Sequence, residues 1–116
     1  MGYWITRFSH PLRGLVYAFK HDEAIQIETA LAVVGLPTVY FLFHLSANEM
    51  LLLVFCWFFV VVTELQNSTI EIALSKLHPS HDKEIGRSKD LAAAAVVWAA
   101  LFGLVCLAFI LIRKFA

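Results

Sequence analysis

The chain has 116 residues, 60% of them hydrophobic, and a mean hydropathy of +0.76, values that exclude an ordinary soluble domain and indicate one small membrane domain. Nine Lys and Arg balance nine Asp and Glu, so the net charge gives no footprint for a nucleic-acid partner, and none is expected. Cys56 and Cys106 sit inside apolar runs, where a thiol packs as a small hydrophobe, and no disulfide or metal site is expected from them.

Residues 1–24 place Trp4, Ile5, Phe8, Leu12, Leu15, Val16 and Phe19 at helical spacing with Arg7, Arg13 and Lys20 on other faces. That pattern predicts an amphipathic helix lying in the membrane interface, interrupted or started at Pro11. No uninterrupted apolar core precedes Arg7, His10, Pro11 and Arg13, so no cleavable signal peptide is expected. The acidic turn His21-Asp22-Glu23 leads to the first spanning candidate, residues 25–45, broken only by Gln26, Glu28 and Pro37. As a helix it is about 31 Å long, the thickness of a hydrocarbon core.

Ser46-Ala47-Asn48-Glu49 turns the chain back into a second helix, residues 50–77. It is too long for hydrocarbon alone, and about 20 residues counted from Met50 put the far boundary near Thr69. Residues 78–90 read as a polar loop with Pro79 and Gly86, and residues 91–112 form an unbroken apolar third span ended by Arg113 and Lys114. Ala95, Ala99 and Gly103, four apart, make a small-residue stripe that lets another helix approach closely. The fold predicted is all-α, with three transmembrane helices and an interfacial helix.

Three spans put the N-terminal segment and residues 78–90 on one side, together with Arg7, Arg13, Lys20, Lys76, Lys83, Arg87 and Lys89, against Arg113 and Lys114 on the other. The positive-inside rule then places the amino terminus in the cytoplasm and the carboxyl terminus outside a bacterial inner membrane.

One stretch breaks the apolar pattern. Glu64, Asn67, Ser68 and Glu71 stand at i, i+3, i+4 and i+7 and so share one stripe, while Ile70, Ile72, Ala73 and Leu74 cover the rest. Carboxylates within a membrane helix are costly and mark function by default. Acids beside a lysine, at the depth where water, a soluble anion and a lipid head group meet, suit metal-assisted phosphoryl transfer. Mg²⁺ prefers one or two protein carboxylates plus phosphate oxygens and water, and a deeper carboxylate can take the proton of an incoming hydroxyl. The glycine-rich motifs of soluble nucleotide enzymes, G-x-x-x-x-G-K-[ST] and G-x-G-x-x-G, do not occur.

Two blocks carry a resemblance. Glu64-Leu-Gln-Asn67-Ser68-Thr-Ile-Glu71 and Gly86-Arg87-Ser88-Lys89-Asp90-Leu-Ala-Ala-Ala-Ala95-Val are similar to the E-x-x-N-[ST]-x-I-E and [GA]-x-x-K-D-x-x-x-A-A-V blocks of the small bacterial integral-membrane diacylglycerol kinases, relatives of the undecaprenol kinases. The upstream Gly14–Glu28 resembles their interfacial helix leading into the first span. The resemblance covers about residues 12–112. It implies a homotrimer with sites between chains, phosphorylating diacylglycerol with ATP and Mg²⁺. By matching position, Glu64 is the implied catalytic base, and Asp22 and Glu71 the implied metal ligands. Asp22, Asn67, Glu71, Ser80, His81, Asp82, Lys89 and Asp90 are the implied ATP contacts; Glu28, Ala24 and Ile25 line the implied lipid site.

The chain departs from that pattern in several places, and the segment before Leu12 does not match it without gaps. Asp22 stands where Glu is usual and is followed by Glu23, so a one-residue slip exchanges their roles, and Gln26 stands where Arg is common. Alternatives of other kinds remain open at this point. The same chemistry fits undecaprenol or another lipid alcohol. The acids also suit a non-catalytic subunit, as hydrogen-bonding glue between helices or as a proton relay. Asp90 also suits a helix N-cap, and His78-x-x-His81 has a metal-like spacing.

Overall fold

Four helices account for nearly all of the chain in a computed structural model that describes residues 2–80 and 82–116: α1 (Gly2–His21), α2 (Glu23–Phe43), α3 (Ala47–Leu77) and α4 (Lys83–Phe115). The all-helical reading holds, and α2, α3 and α4 are each long and apolar enough to cross a membrane. At 1.5 Å per residue, α3 and α4 run about 46 and 50 Å, well beyond a hydrocarbon core of about 30 Å, so both project past it.

Several boundaries differ from those read in the sequence. Residues 83–90 are not loop but the first two turns of α4, begun where Asp82 caps the helix by accepting from the Glu84 N–H at 2.8 Å. Asp90 is therefore no cap. The apolar run marks what lies in lipid, not where a helix starts, and a polar stretch with a good cap extends the helix into water. Pro11 neither starts nor breaks α1, which is continuous through it.

The α2–α3 turn is built by local hydrogen bonds. Ser46 Oγ accepts from the Glu49 N–H (3.2 Å) while Glu49 Oε1 accepts from the Ser46 N–H (2.8 Å), a reciprocal capping box. His44 ends α2 in the left-handed conformation, φ 53°, and its N–H still reaches Tyr40 O. Lys114 on α4 donates to His44 O (3.0 Å) and pairs with Glu49 (3.1 Å), so one ammonium ties three helices at this end. Beneath it Leu45, Leu53 and Ile110 form a small core with Leu36, Val39, Phe43 and Leu107.

α3 is the central element, packed most extensively on α4 and then on α2. The α3–α4 seam is narrow because its residues are small: Ala99 and Cys106 are buried, and a Cβ built on Gly103 would lie 3.6 Å from Cys56 Cβ. Of the small-residue stripe, Ala99 and Gly103 serve this seam while Ala95 is exposed. The chain is thin, 53 × 45 × 19 Å, and Phe41, Phe55, Trp98 and Phe109 stand with many other apolar side chains on its surface. Lipid or further chains must cover that surface. Because a Cβ added at Gly103 would meet Cys56 at ordinary contact distance, Gly103→Ala is expected to leave stability in mixed micelles nearly unchanged. Gly103→Leu should lower the unfolding free energy by about 1–3 kcal/mol, the usual cost of overpacking, read from denaturant titration.

Candidate functional site

At the far end from the α2–α3 turn, a single non-helical residue joins α1 to α2. Asp22 has extended backbone angles, and its Oδ1 accepts from the Ile25 N–H at 3.2 Å, capping α2. Its Oδ2 accepts a 2.5 Å hydrogen bond from Ser68 Oγ on α3. One carboxylate thus starts α2 and fixes its level on α3. The lengths agree: α2 spans about 31 Å and Ala47 to Ser68 about 32 Å, so turn and tie close the same hairpin. Beyond Ser68, α3 continues without α2 beside it.

An open hollow of about 410 Å³ forms where these elements meet. α1 contributes Tyr17 and His21, whose rings pack at 4.7 Å; the joint contributes Asp22, Glu23 and Ala24; α3 contributes Glu64, Asn67, Ser68, Glu71 and Ile72. The stripe predicted from periodicity therefore faces one space, and Asp22 from another segment meets it there. Glu64 is 8% exposed, the sole buried charged residue among those described, whereas Glu71 is exposed and Asp22 half-buried. Asn67 Oδ1 is buried without a hydrogen-bond partner among the described residues. Four carboxylates line the hollow and none of its lining residues is Lys or Arg. Acids so gathered repel one another unless a cation stands among them.

The donors are carboxylate and amide oxygens, the hard set that suits Mg²⁺. Among the described residues no three metal-ligating side chains converge tightly enough to cage an ion. Mg²⁺ needs no such cage, because it is held by one or two carboxylates with phosphate oxygens and water completing the octahedron. Asp22, Glu23 and Glu71 are the lining acids that could supply them. Both Asp22 oxygens already accept a hydrogen bond, whereas among the described residues no hydrogen bond engages the exposed Glu23 carboxylate.

The other residues expected at the site are placed differently. Lys89 donates to Ser75 Oγ at 2.9 Å, one turn past Glu71 on the same stripe, and so reaches the strip but not the hollow. Ser80, Asp82 and Asp90 are exposed and outside its lining, and His81 lies outside the described residues. Ile25, expected to line a lipid site, is fully buried within the chain and presents no surface to a ligand. Glu28 is partly buried with Oε2 unpartnered, within electrostatic range of Glu64 and Asp22.

Sequence reasoning missed a neighbouring apolar crevice of about 520 Å³ between α1 (Pro11, Gly14, Leu15, Tyr17, Ala18) and α3 (Leu65, Thr69, Ile72), bordered by Asp22 and Ser68. It also missed Tyr17 and His21. The i, i+4 spacing of Tyr17 and His21 was a usable signal; the crevice, a property of how two helices cross, had none.

The model of the prokaryotic diacylglycerol kinase family matches residues 9–111. The chain belongs to that family. A diacylglycerol kinase of Haemophilus influenzae is 30% identical over 92 residues, covering 79% of this chain and 77% of that protein. The resemblance read in the two motif blocks is thereby borne out. The protein is an enzyme of the diacylglycerol kinase family, and the reading as a non-catalytic subunit or proton relay is set aside. Within this kinase fold the Asp22–Ser68 tie holds the hollow together. Ser68→Ala, which leaves a half-buried carboxylate oxygen without its donor, is expected to lower the unfolding free energy by about 1.5–3 kcal/mol, measured by denaturant titration in micelles.

Proposed function

We propose that the protein transfers the γ-phosphoryl group of MgATP to diacylglycerol, giving phosphatidic acid and ADP, at the cytoplasmic face of a bacterial inner membrane. The observation that carries this reading is the gathering of Asp22, Glu23, Glu64 and Glu71 around one hollow that adjoins an apolar crevice. A polar head and a hydrocarbon tail then each have a place: the hydroxyl beside Glu64, the chain between α1 and α3. Family membership and the name of the Haemophilus relative support the choice of diacylglycerol.

In this mechanism Glu64, shielded at the inner end of the strip, accepts the proton of the lipid hydroxyl as that oxygen attacks the γ-phosphorus. The bond to the bridging oxygen of ADP breaks as the new one forms. Mg²⁺, when bound, neutralises charge on the phosphate oxygens. Glu71 with Asp22 or Glu23 would hold the metal, the Asn67 amide oxygen would face the cation, and Lys89 and Asp90, with Ser80, His81 and Asp82, would contact the nucleotide.

Oligomer and orientation belong to the same proposal. A hollow of about 410 Å³ is at the small end of ligand sites, with room for one polar head rather than for nucleotide and lipid together. Completion by a neighbouring chain in a homotrimer resolves this and covers exposed apolar faces. α1 lies in the interface, its aromatic residues toward lipid, and the excess of Lys and Arg near the hollow's end puts that end in the cytoplasm.

Purified protein in mixed micelles with labelled ATP should phosphorylate diacylglycerol in preference to undecaprenol, and only with Mg²⁺ present. Preference for undecaprenol would reassign the substrate. Glu64→Gln and Glu71→Gln should each lower kcat by at least about 10²-fold, the scale of general-base and charge-stabilising groups, with the oligomer intact. Near-normal rates in both variants would contradict the assigned roles.

A further inference from the structure

α1 is held by its end. Of its described residues only Ala18 is buried, so little packing sets its direction, and the joint to α2 is a single residue. Helix ends leave their last carbonyls without partners inside the helix. Here the partners come from the joint and from α2: Ala18 O accepts from the Asp22 N–H (2.8 Å), and Phe19 O and Lys20 O both accept from Gln26 Nε2 at 3.0 Å. A primary amide nitrogen has two N–H donors, so both side-chain bonds form at once. Gln26 lies one turn into α2, and its amide therefore clamps the last turn of α1 against the first turn of α2.

What that clamp fixes is a wall of the hollow. His21, which lines it, ends the clamped turn, Tyr17 packs on His21 from one turn back, and Asp22 lies between the two halves. We propose that Gln26 is a positioning residue for phosphoryl transfer: it lines neither the hollow nor the crevice, but by donating to Phe19 O and Lys20 O it holds the α1 wall and the Asp22 joint in the geometry the reaction uses. The proposal rests on the lipid kinase reading for its effect on rate. The geometric part stands on the hydrogen bonds alone.

The requirement is for donors, which makes the test specific. Gln26→Glu keeps the shape but offers only acceptors to two carbonyls, and Gln26→Ala removes the clamp; Gln26→Arg keeps donors on a longer arm. Lipid phosphorylation by each purified variant is measured together with amide hydrogen exchange over residues 14–22. Gln26→Glu and Gln26→Ala are expected to lose about tenfold in kcat, as losing hydrogen bonds of ordinary net strength implies, with the KM for MgATP nearly unchanged. Exchange over 14–22 should accelerate about tenfold in the same two variants. Gln26→Arg should stay within about threefold of the parent in both. Parent-like kcat in Gln26→Glu and Gln26→Ala, or lost kcat with parent-like exchange, would overturn the proposal. If the parent itself phosphorylates no lipid, the kinase reading fails instead, and the exchange data alone decide whether Gln26 is the clamp.

Discussion

The carboxylate of Asp22 is the junction on which the arrangement depends. Its two oxygens serve different neighbours, the Ile25 N–H that begins α2 and the Ser68 hydroxyl on α3. A side chain with a single polar atom, such as Ser, would serve one and abandon the other. Because the tie is made at the last turn of α3 that α2 still covers, it leaves Glu71 and Ser75 standing clear and Glu64 enclosed. The gradient of exposure along one helical stripe, from a buried acid to an exposed one, follows from where that bond is made.

The same geometry reconciles the acids with the membrane. A carboxylate in hydrocarbon is tolerated only where protein or water replaces lipid around it. Here the acids sit at the end of a hairpin about 31 Å long, in a hollow walled by α1 and open at its outer side. The opposite end needs no such opening. There Lys114, Glu49 and His44 satisfy one another and the capping box closes the turn, so the chain has one sealed end and one open end. With α3 as the common member of both ends, the packing of small residues along the α3–α4 seam keeps Lys89 level with Ser75, a turn from Glu71.

How much of this was legible in the sequence depended on what each signal measures. Helical periodicity reports which side chains share a face, and it correctly put Glu64, Asn67, Ser68 and Glu71 together. Hydropathy reports what lies in lipid, so it found three spans but began the third helix too late, missing the two polar turns of α4 that Asp82 caps. Neither reports which neighbour a residue meets. Ile25 reads as well for a lipid contact as for the core position it occupies, and nothing in the spelling of Gln26 reveals two carbonyls within its reach. The motif blocks carried the family; Asp22 followed by Glu23 gave two readings of one position, and only the structure shows that Asp22 is the acid that caps α2 and ties to Ser68.

The central claim is that the strip on α3 touches the metal–phosphate group directly instead of merely holding helices together. Metal rescue at Glu71 tests this most directly. A thiolate favours soft cations over Mg²⁺, so Glu71→Cys should be nearly inactive with Mg²⁺ and regain lipid phosphorylation when Cd²⁺ is supplied, while the parent gains nothing from the exchange. A Glu71→Cys enzyme that no cation restores, or one that works as well as the parent with Mg²⁺ alone, would contradict the account.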